Sequence, residues 1–206
     1  MTTDLAPESL LVRPGRELSG PGGWDAVFGR RAPLQVEVGF GRDAALLRRA
    51  KRSPERDFLG IELKRDRVET YLRRAVQAGI GNLRVVPGRA EVVLGVLLPA
   101  ARVAALRIEF PDPWPKDRHA HHRLIQPFLV REARRVLEPG GALVMATDDA
   151  PYQEQMRTVV ASVGGFEGGE VDPERERSLA DGTTIFERKG LQRGATIRWF
   201  LWRRLP

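Results

Sequence analysis

The residues best placed by type and spacing to do chemistry lie in Phe110-Pro111-Asp112-Pro113-Trp114-Pro115. Each proline fixes its own φ and pushes the preceding residue toward extended geometry, so six consecutive backbones are restricted and neither a helix nor a central strand can form there. The apolar run VAALRIEF leads directly into the segment. It is therefore expected to leave a strand end as a stiff ledge, with the Asp112 carboxylate held in place before any ligand arrives. Such a carboxylate accepts hydrogen bonds from adjacent donors, as on the N1–H and exocyclic amine of guanine. Trp114 offers either a stacking face, worth about 1–3 kcal/mol per base, or an anchor in the core. Lys116, Arg118 and Arg123, with His119, His121 and His122 among them, then supply cations for a phosphate backbone. The three histidines are weak metal ligands on spacing: there is no HExxH, Asp117 is the only close carboxylate, and adjacent histidines diverge on a regular element.

A second constellation is VEVGFGRDAAL, a strand followed by a glycine turn and a helix start, where Gly39 and Gly41 allow close backbone approach. Glu37 and Asp43 flank the turn, where a pyrophosphate would need the helix dipole and its donors to itself. The next strand ends in Glu62, at about the 20-residue interval at which Rossmann-type sites place an acid on ribose hydroxyls. Three carboxylates suit a ligand that has a ribose, no phosphate and a positive charge, and S-adenosylmethionine, a sulfonium and ammonium cation, is of that kind. The alternative leaves Asp43 as a helix cap and Glu37 as a polar core residue.

The elements that would position these groups alternate short apolar runs with amphipathic ones: LQVEVG then DAALLRRAKR, DFLGIEL then KRDRVETYLRRAVQAG, NLRVV then AEVVLGVL, VAALRIEF then RLIQPFLVREARRVL, and GALVMATD then YQEQMRTVVASV. Five strand–helix units predict an α/β fold, a doubly wound and mostly parallel sheet. FEGGEV and ATIRWFLWRR add two strands with no convincing helix between them, about seven in all, with an antiparallel C-terminal edge strand. Gly79 and Gly140-Gly141 sit where C-terminal helix caps are expected. Residues 1–30, rich in glycine and proline, are expected to form a flexible N-terminal arm, and residues 31–206 one domain.

With 206 residues, 42% of them hydrophobic, the chain can bury a sizeable core. There is no cysteine, which excludes disulfides and thiolate metal sites, and the N-terminus lacks the features of an export signal, so the cytoplasm is the expected compartment. No apolar run reaches the roughly 20 residues of a membrane span. A formal charge of +7 makes a polyanion such as RNA a favoured partner.

PDPWPKxRHxxxRL, with VEVGFG, GIE at 60–62, ATD at 146–148 and TIFE at 184–187, resembles the bacterial tRNA (guanine-N7)-methyltransferase family from about residue 33 onward. The resemblance implies a class I, Rossmann-like methyltransferase fold, S-adenosylmethionine as donor, and a guanosine of the tRNA variable loop as acceptor. It puts Glu37, Gly39, Gly41, Glu62, Arg89 and Asp112 at the cofactor, with Asp112 also at the catalytic centre. Lys116, Asp148 and the segment Thr184, Ile185, Phe186, Glu187 go to the substrate, while Arg118, His119 and Arg123 remain candidates for the RNA backbone. Three departures stand out, one being that His121 and His122 thin the family's more basic run after PDPWPK. Arg89 occupies the place of an acidic residue near the adenine amine, so a backbone carbonyl or Glu91 would have to accept there, and Glu109 stands where the family usually has an apolar aromatic residue. Neither a metal nor a membrane partner is expected, and the protein would act as a monomer or homodimer. The rival readings are a methyltransferase with another RNA nucleotide or a small molecule as acceptor, and a non-catalytic RNA-binding module.

Overall fold

A computed structural model describes residues 5–13, 18, 23–174 and 183–206. Seven strands form one sheet: β1 (Leu34–Val38), β2 (Asp57–Glu62), β3 (Leu83–Pro87), β4 (Val103–Glu109), β5 (Leu137–Thr147), β6 (Phe166–Val171) and β7 (Arg198–Arg204). Their order is β3-β2-β1-β4-β5-β7-β6. β1 to β5 are mutually parallel, and β7 runs antiparallel between β5 and the outermost strand β6. Parallel strands need crossovers, supplied here by α3 (Ala45–Arg52), α4 (Arg65–Gln77), a short α5 (Ala90–Val92), α6 (Pro127–Val136) and α7 (Ala150–Val163), while α8 (Ile185–Gln192) joins β6 to β7.

The period-two alternation of β1 sorts its side chains between the two faces. Val36 and Val38 join the large core with Leu106, Ile108, Leu143 and the α6 residues Leu129 and Val130. Glu37 lies between them in sequence and points to the other face, where α3 supplies Arg49. A second core holds α3 and α4 against the sheet through Leu46, Tyr71 and Leu83.

Of residues 1–30, positions 1–4, 14–17 and 19–22 lie outside the described residues. Within the rest, α1 (Pro7–Leu10) buries Leu10, and the Val12 N–H donates to the Val85 carbonyl at 2.8 Å. In α2 (Gly23–Phe28), the Trp24 indole donates to the Leu97 carbonyl at 2.9 Å.

Three local expectations need correction. Gly140-Gly141 is not a helix cap: α6 ends at Val136, and the pair sits inside β5 where the register against β4 shifts between Val103 and Ala105. Gly140 takes φ 76°, and a Cβ on Gly141 would come within 2.7 Å of the Glu138 carbonyl oxygen. AEVVLGVL forms one α turn that widens into a π turn over Val93–Leu97. The link between the last two strands contains α8, and its Thr-x-x-Glu start has the spacing of a capping box. By contrast, Gly79, with φ 66°, follows α4 as expected. No helix among the described residues is long and apolar enough to cross a membrane.

β2 admits no side chain at Gly60, where a Cβ would stand 2.8 Å from the Phe40 ring and 2.9 Å from Leu46 Cδ2. Gly60→Ala is expected to lower the unfolding free energy by about 1–3 kcal/mol through overpacking. Urea denaturation measures this, and an unchanged midpoint would contradict the contact.

Candidate active site

A cleft of about 710 Å³ opens where β1, β2, β4 and β5 end, and it is lined by Gly39, Gly41, Glu62, Asp112, Trp114 and Asp148 among others. Those six come from four separate stretches of sequence, and the parallel sheet brings them together because all its crossovers start from the same edge. Gly39 and Gly41 turn with φ 73° and 60°. The Glu62 carboxylate closes the turn, Oε2 accepting from the Gly41 N–H at 3.0 Å and Oε1 from the Lys64 N–H at 3.0 Å, with an Arg67 guanidinium nitrogen 3.5 Å away. Both its oxygens are thus fixed by backbone donors before a ligand enters.

The ledge leaves β4 as expected, but the extended geometry expected before each proline fails at Phe110 and Trp114, which hold φ 51° and 43°, a strained region that residues other than glycine rarely occupy and that the anchors at both ends impose. Its near end is tied to the sheet by the Phe110 N–H, which donates to the Ala146 carbonyl at 2.8 Å. Arg123 ties the far end, donating from Nε to the Pro113 carbonyl at 2.7 Å and from NH1 to Gln155 Oε1 at 2.7 Å, with its guanidinium carbon 5.2 Å from the Tyr152 ring centroid. Asp112 Oδ1 accepts from the Trp114 N–H at 3.2 Å, and the rest of the exposed carboxylate faces the cleft. Trp114 is 36% exposed and leans on His122, ring centroids 5.0 Å apart, rather than anchoring in the core.

The opposite wall comes from α8. Asp43 holds it in place, Oδ1 accepting from the Ala45 N–H at 2.8 Å and Oδ2 from the Ile185 N–H, so one carboxylate serves the starts of two helices. Thr184 Oγ1 caps α8 by accepting from the Glu187 N–H at 3.1 Å. The Glu187 carboxylate accepts from the Trp199 indole at 3.2 Å, which clamps the helix to β7. Phe186 alone of this segment lines the cleft, 47% exposed and roughly parallel to Phe110 with centroids 6.4 Å apart. Asp148 pairs with Arg193 at 2.7 Å.

The sequence-predicted residues divide accordingly. Gly39, Gly41, Glu62, Asp112, Asp148 and Phe186 meet in the cleft; Thr184, Ile185 and Glu187 build its wall. Lys116 and Arg118 are exposed and His119 is half-buried, all on the turn beyond the ledge and outside the cleft lining. Arg89 also lies outside it, exposed and paired with Glu91 at 3.2 Å. Arg123 is buried and occupied with the ledge, so it is not presented to an RNA backbone. Glu37 does not reach the cleft either. It pairs with Arg49, which also lies 3.5 Å from Glu109, and burial pushes its carboxyl above the usual range against the pull of Arg49. Arg67, Glu109, Lys189 and Arg193 line the cleft without having been singled out as site residues from sequence. Arg67 alone had a local signal, lying in the first turn of α4 just after β2 ends at Glu62. Among the described residues no His, Cys, Asp and Glu group could hold a metal.

Removing Arg123 would strand the Pro113 carbonyl and the Gln155 side chain. Arg123→Ala should lower stability by about 2 kcal/mol, the scale of charged hydrogen bonds, and speed proteolysis at the ledge. Urea unfolding and limited digestion read the two effects; wild-type behaviour in both would detach Arg123 from the ledge.

A family model described as a putative methyltransferase matches residues 31–199. A tRNA (guanine-N(7)-)-methyltransferase of Nitrosococcus oceani is 41% identical over 190 residues, 92% of this chain and 79% of that protein. One from Leifsonia xyli subsp. xyli is 41% identical over 191 residues, covering 88% of this chain and 81% of its own. Among solved structures, the 16S rRNA methyltransferase KamB superposes with a TM-score of 0.64 at 16% identity, covering 91% of this chain and 94% of that one. The aminoglycoside resistance methyltransferase NpmB1 gives 0.62 at 17%, covering 94% and 95%. The solved structures speak for the class I methyltransferase fold alone, whereas two-fifths identity along nearly the whole chain places this protein in the tRNA (guanine-N7-)-methyltransferase family.

Proposed function

We propose that this protein transfers a methyl group from S-adenosylmethionine to N7 of a guanosine in tRNA, in the variable loop, and works in the cytoplasm. Membership of the family carries the reaction, and the position of Asp112 beside exposed rings at the mouth of the cleft supports it most directly.

The residues fit the cofactor. A Cβ on Gly39 would meet nothing within 4 Å, so open space lies beyond the turn, and the cleft volume lies within the roughly 300–1,000 Å³ of small-molecule sites. Glu62, fixed by two backbone donors, stands where ribose hydroxyls would be read. When bound, S-adenosylmethionine supplies an electrophilic methyl on a sulfonium.

Guanine N7 carries an in-plane lone pair, so no proton has to be removed from the nucleophile. What the chain must supply is alignment and charge stabilisation. Asp112, on a backbone that the prolines and Arg123 hold still, orients the base through its N1–H and exocyclic amine and offsets the positive charge that develops on the ring. Trp114 and Phe186, both partly exposed, offer stacking faces to a base that has left its own stack. Lys116, Arg118 and His119, on the exposed turn beyond, meet the neighbouring phosphates.

Labelled methyl transfer to an unmodified tRNA, run beside a transcript with the variable-loop guanosine replaced by adenosine, tests the reading. Label is expected on the first only; label on both would move the acceptor to another nucleotide. Asp112→Ala should lower kcat by on the order of 100-fold or more, as loss of one preorganised electrostatic group does, with tRNA affinity within about threefold of wild type. An unimpaired kcat would take Asp112 out of catalysis. Affinity for tRNA should fall steeply between about 50 and 200 mM salt, and a flat profile would oppose the phosphate contacts.

A further inference from the structure

The carboxylates at the strand ends are unequally occupied. Glu62 holds two backbone N–H groups and lies beside Arg67, and Asp148 is paired with Arg193. Glu37 belongs to Arg49 and lies outside the cleft lining. Asp112 stands out on the ledge, at the place of the acceptor base. Glu109 differs from all of these. It is the last residue of β4, one place beyond the register pair Val38–Ile108, and therefore stands beside Gly39, where the glycine turn begins. Its side chain is only 6% exposed, yet it lines the cleft.

Both of its ion contacts end on the same oxygen. Arg49 NH1 lies 3.5 Å and Arg107 NH1 3.3 Å from Oε1, longer than the 2.7–2.9 Å typical of a charge-assisted hydrogen bond. Among the described residues Oε2 receives no hydrogen bond or ion pair, and it is not one of the sealed, unpaired polar atoms, so it stays open to the cleft. The cluster of Glu37, Arg49, Arg107 and Glu109 carries two charges of each sign. A cation reaching Oε2 would meet it against a low-dielectric wall, where it gains more than it would in water.

We infer that Glu109 is a further cofactor-binding residue, whose Oε2 receives the ammonium of the amino-acid end of S-adenosylmethionine, a role that Glu37, drawn away by Arg49, does not fill in this chain. The departure at Glu109 and the diversion of Glu37 then have one cause: the acid has moved from β1 to the neighbouring strand end, and Arg49 neutralises the one left behind. This rests on the S-adenosylmethionine reading above and goes beyond it by naming the group that reads the ammonium.

The test uses two ligands that share adenosine and a thioether sulfur, S-adenosylhomocysteine, which carries the ammonium, and methylthioadenosine, which lacks the amino acid. Calorimetry on the full chain should show Glu109→Gln weakening S-adenosylhomocysteine about tenfold or more, the scale of one lost charged hydrogen bond, with methylthioadenosine within about twofold of wild type. Because a lone Glu109→Gln leaves its arginines undercompensated, the charge-neutral pair Arg107→Gln/Glu109→Gln, which keeps Arg49 on Glu37, is measured alongside and should show the same selective loss. Equal losses for both ligands, no loss, recovery in the double variant, or a selective loss in Glu37→Gln instead would each overturn the assignment. If wild type binds neither ligand, the S-adenosylmethionine reading itself fails, which separates the two outcomes.

Discussion

Arg123 lies under the ledge, its guanidinium shared between the Pro113 carbonyl and Gln155 and set over the Tyr152 ring. Three prolines restrict the segment but cannot say where it goes; two anchors do that, the Phe110 N–H on β5 and Arg123 at the far end. Between them the chain holds two side-chain-bearing residues at positive φ, a cost that persists only because packing on both sides over-determines it. The gain is a carboxylate at Asp112 that need not be ordered when the base arrives, so less binding free energy is lost to entropy at that moment.

The opposite wall depends on a contact of another range. Asp43 and Ile185 are 142 residues apart, and their hydrogen bond joins the start of α8 to the start of α3. Glu187 then fixes the same helix to β7 through Trp199. Phe186 is carried into the cleft between these two attachments, so its position depends on three elements folding together.

Charge has been distributed in a way that the total of +7 does not disclose. Several arginines are tied into the fold rather than left free: Arg102 bridges Asp25 and the Ala32 carbonyl, Arg135 takes the Leu94 and Leu98 carbonyls, and Arg30, though exposed, reaches Asp57 and two carbonyls. The guanidinium suits this because it presents five donors in a fixed fork and remains charged when buried. Lys116 and Arg118, on the exposed turn after the ledge, are among the cations left to face an RNA backbone.

The alternation of apolar runs and amphipathic stretches was sufficient to read five crossovers, because burial on one face imposes a period on the sequence. That the ledge would be neither helix nor central strand was legible because proline acts locally, whereas the positive φ of Phe110 and Trp114, both before prolines, is set by the anchors at Ala146 and Arg123. Gly39, Gly41 and Glu62 could be read because turn and strand end lie close in sequence to the elements that set them. Gly140-Gly141 misled because a glycine pair suits a β-bulge as well as a helix cap, and only the register against β4 distinguishes them. The capping spacing of Thr184 and Glu187 was present in the sequence, but whether that turn would be helical depended on Asp43 and Trp199 far away. The same holds for the fates of Glu37, Arg123 and Glu109. Sequence by itself determined which residues were acids, cations and stiff turns, and on which strand ends they fell. Tertiary structure decided which charge meets which, because pairing energies depend on distance and burial between elements that the order of residues does not bring together.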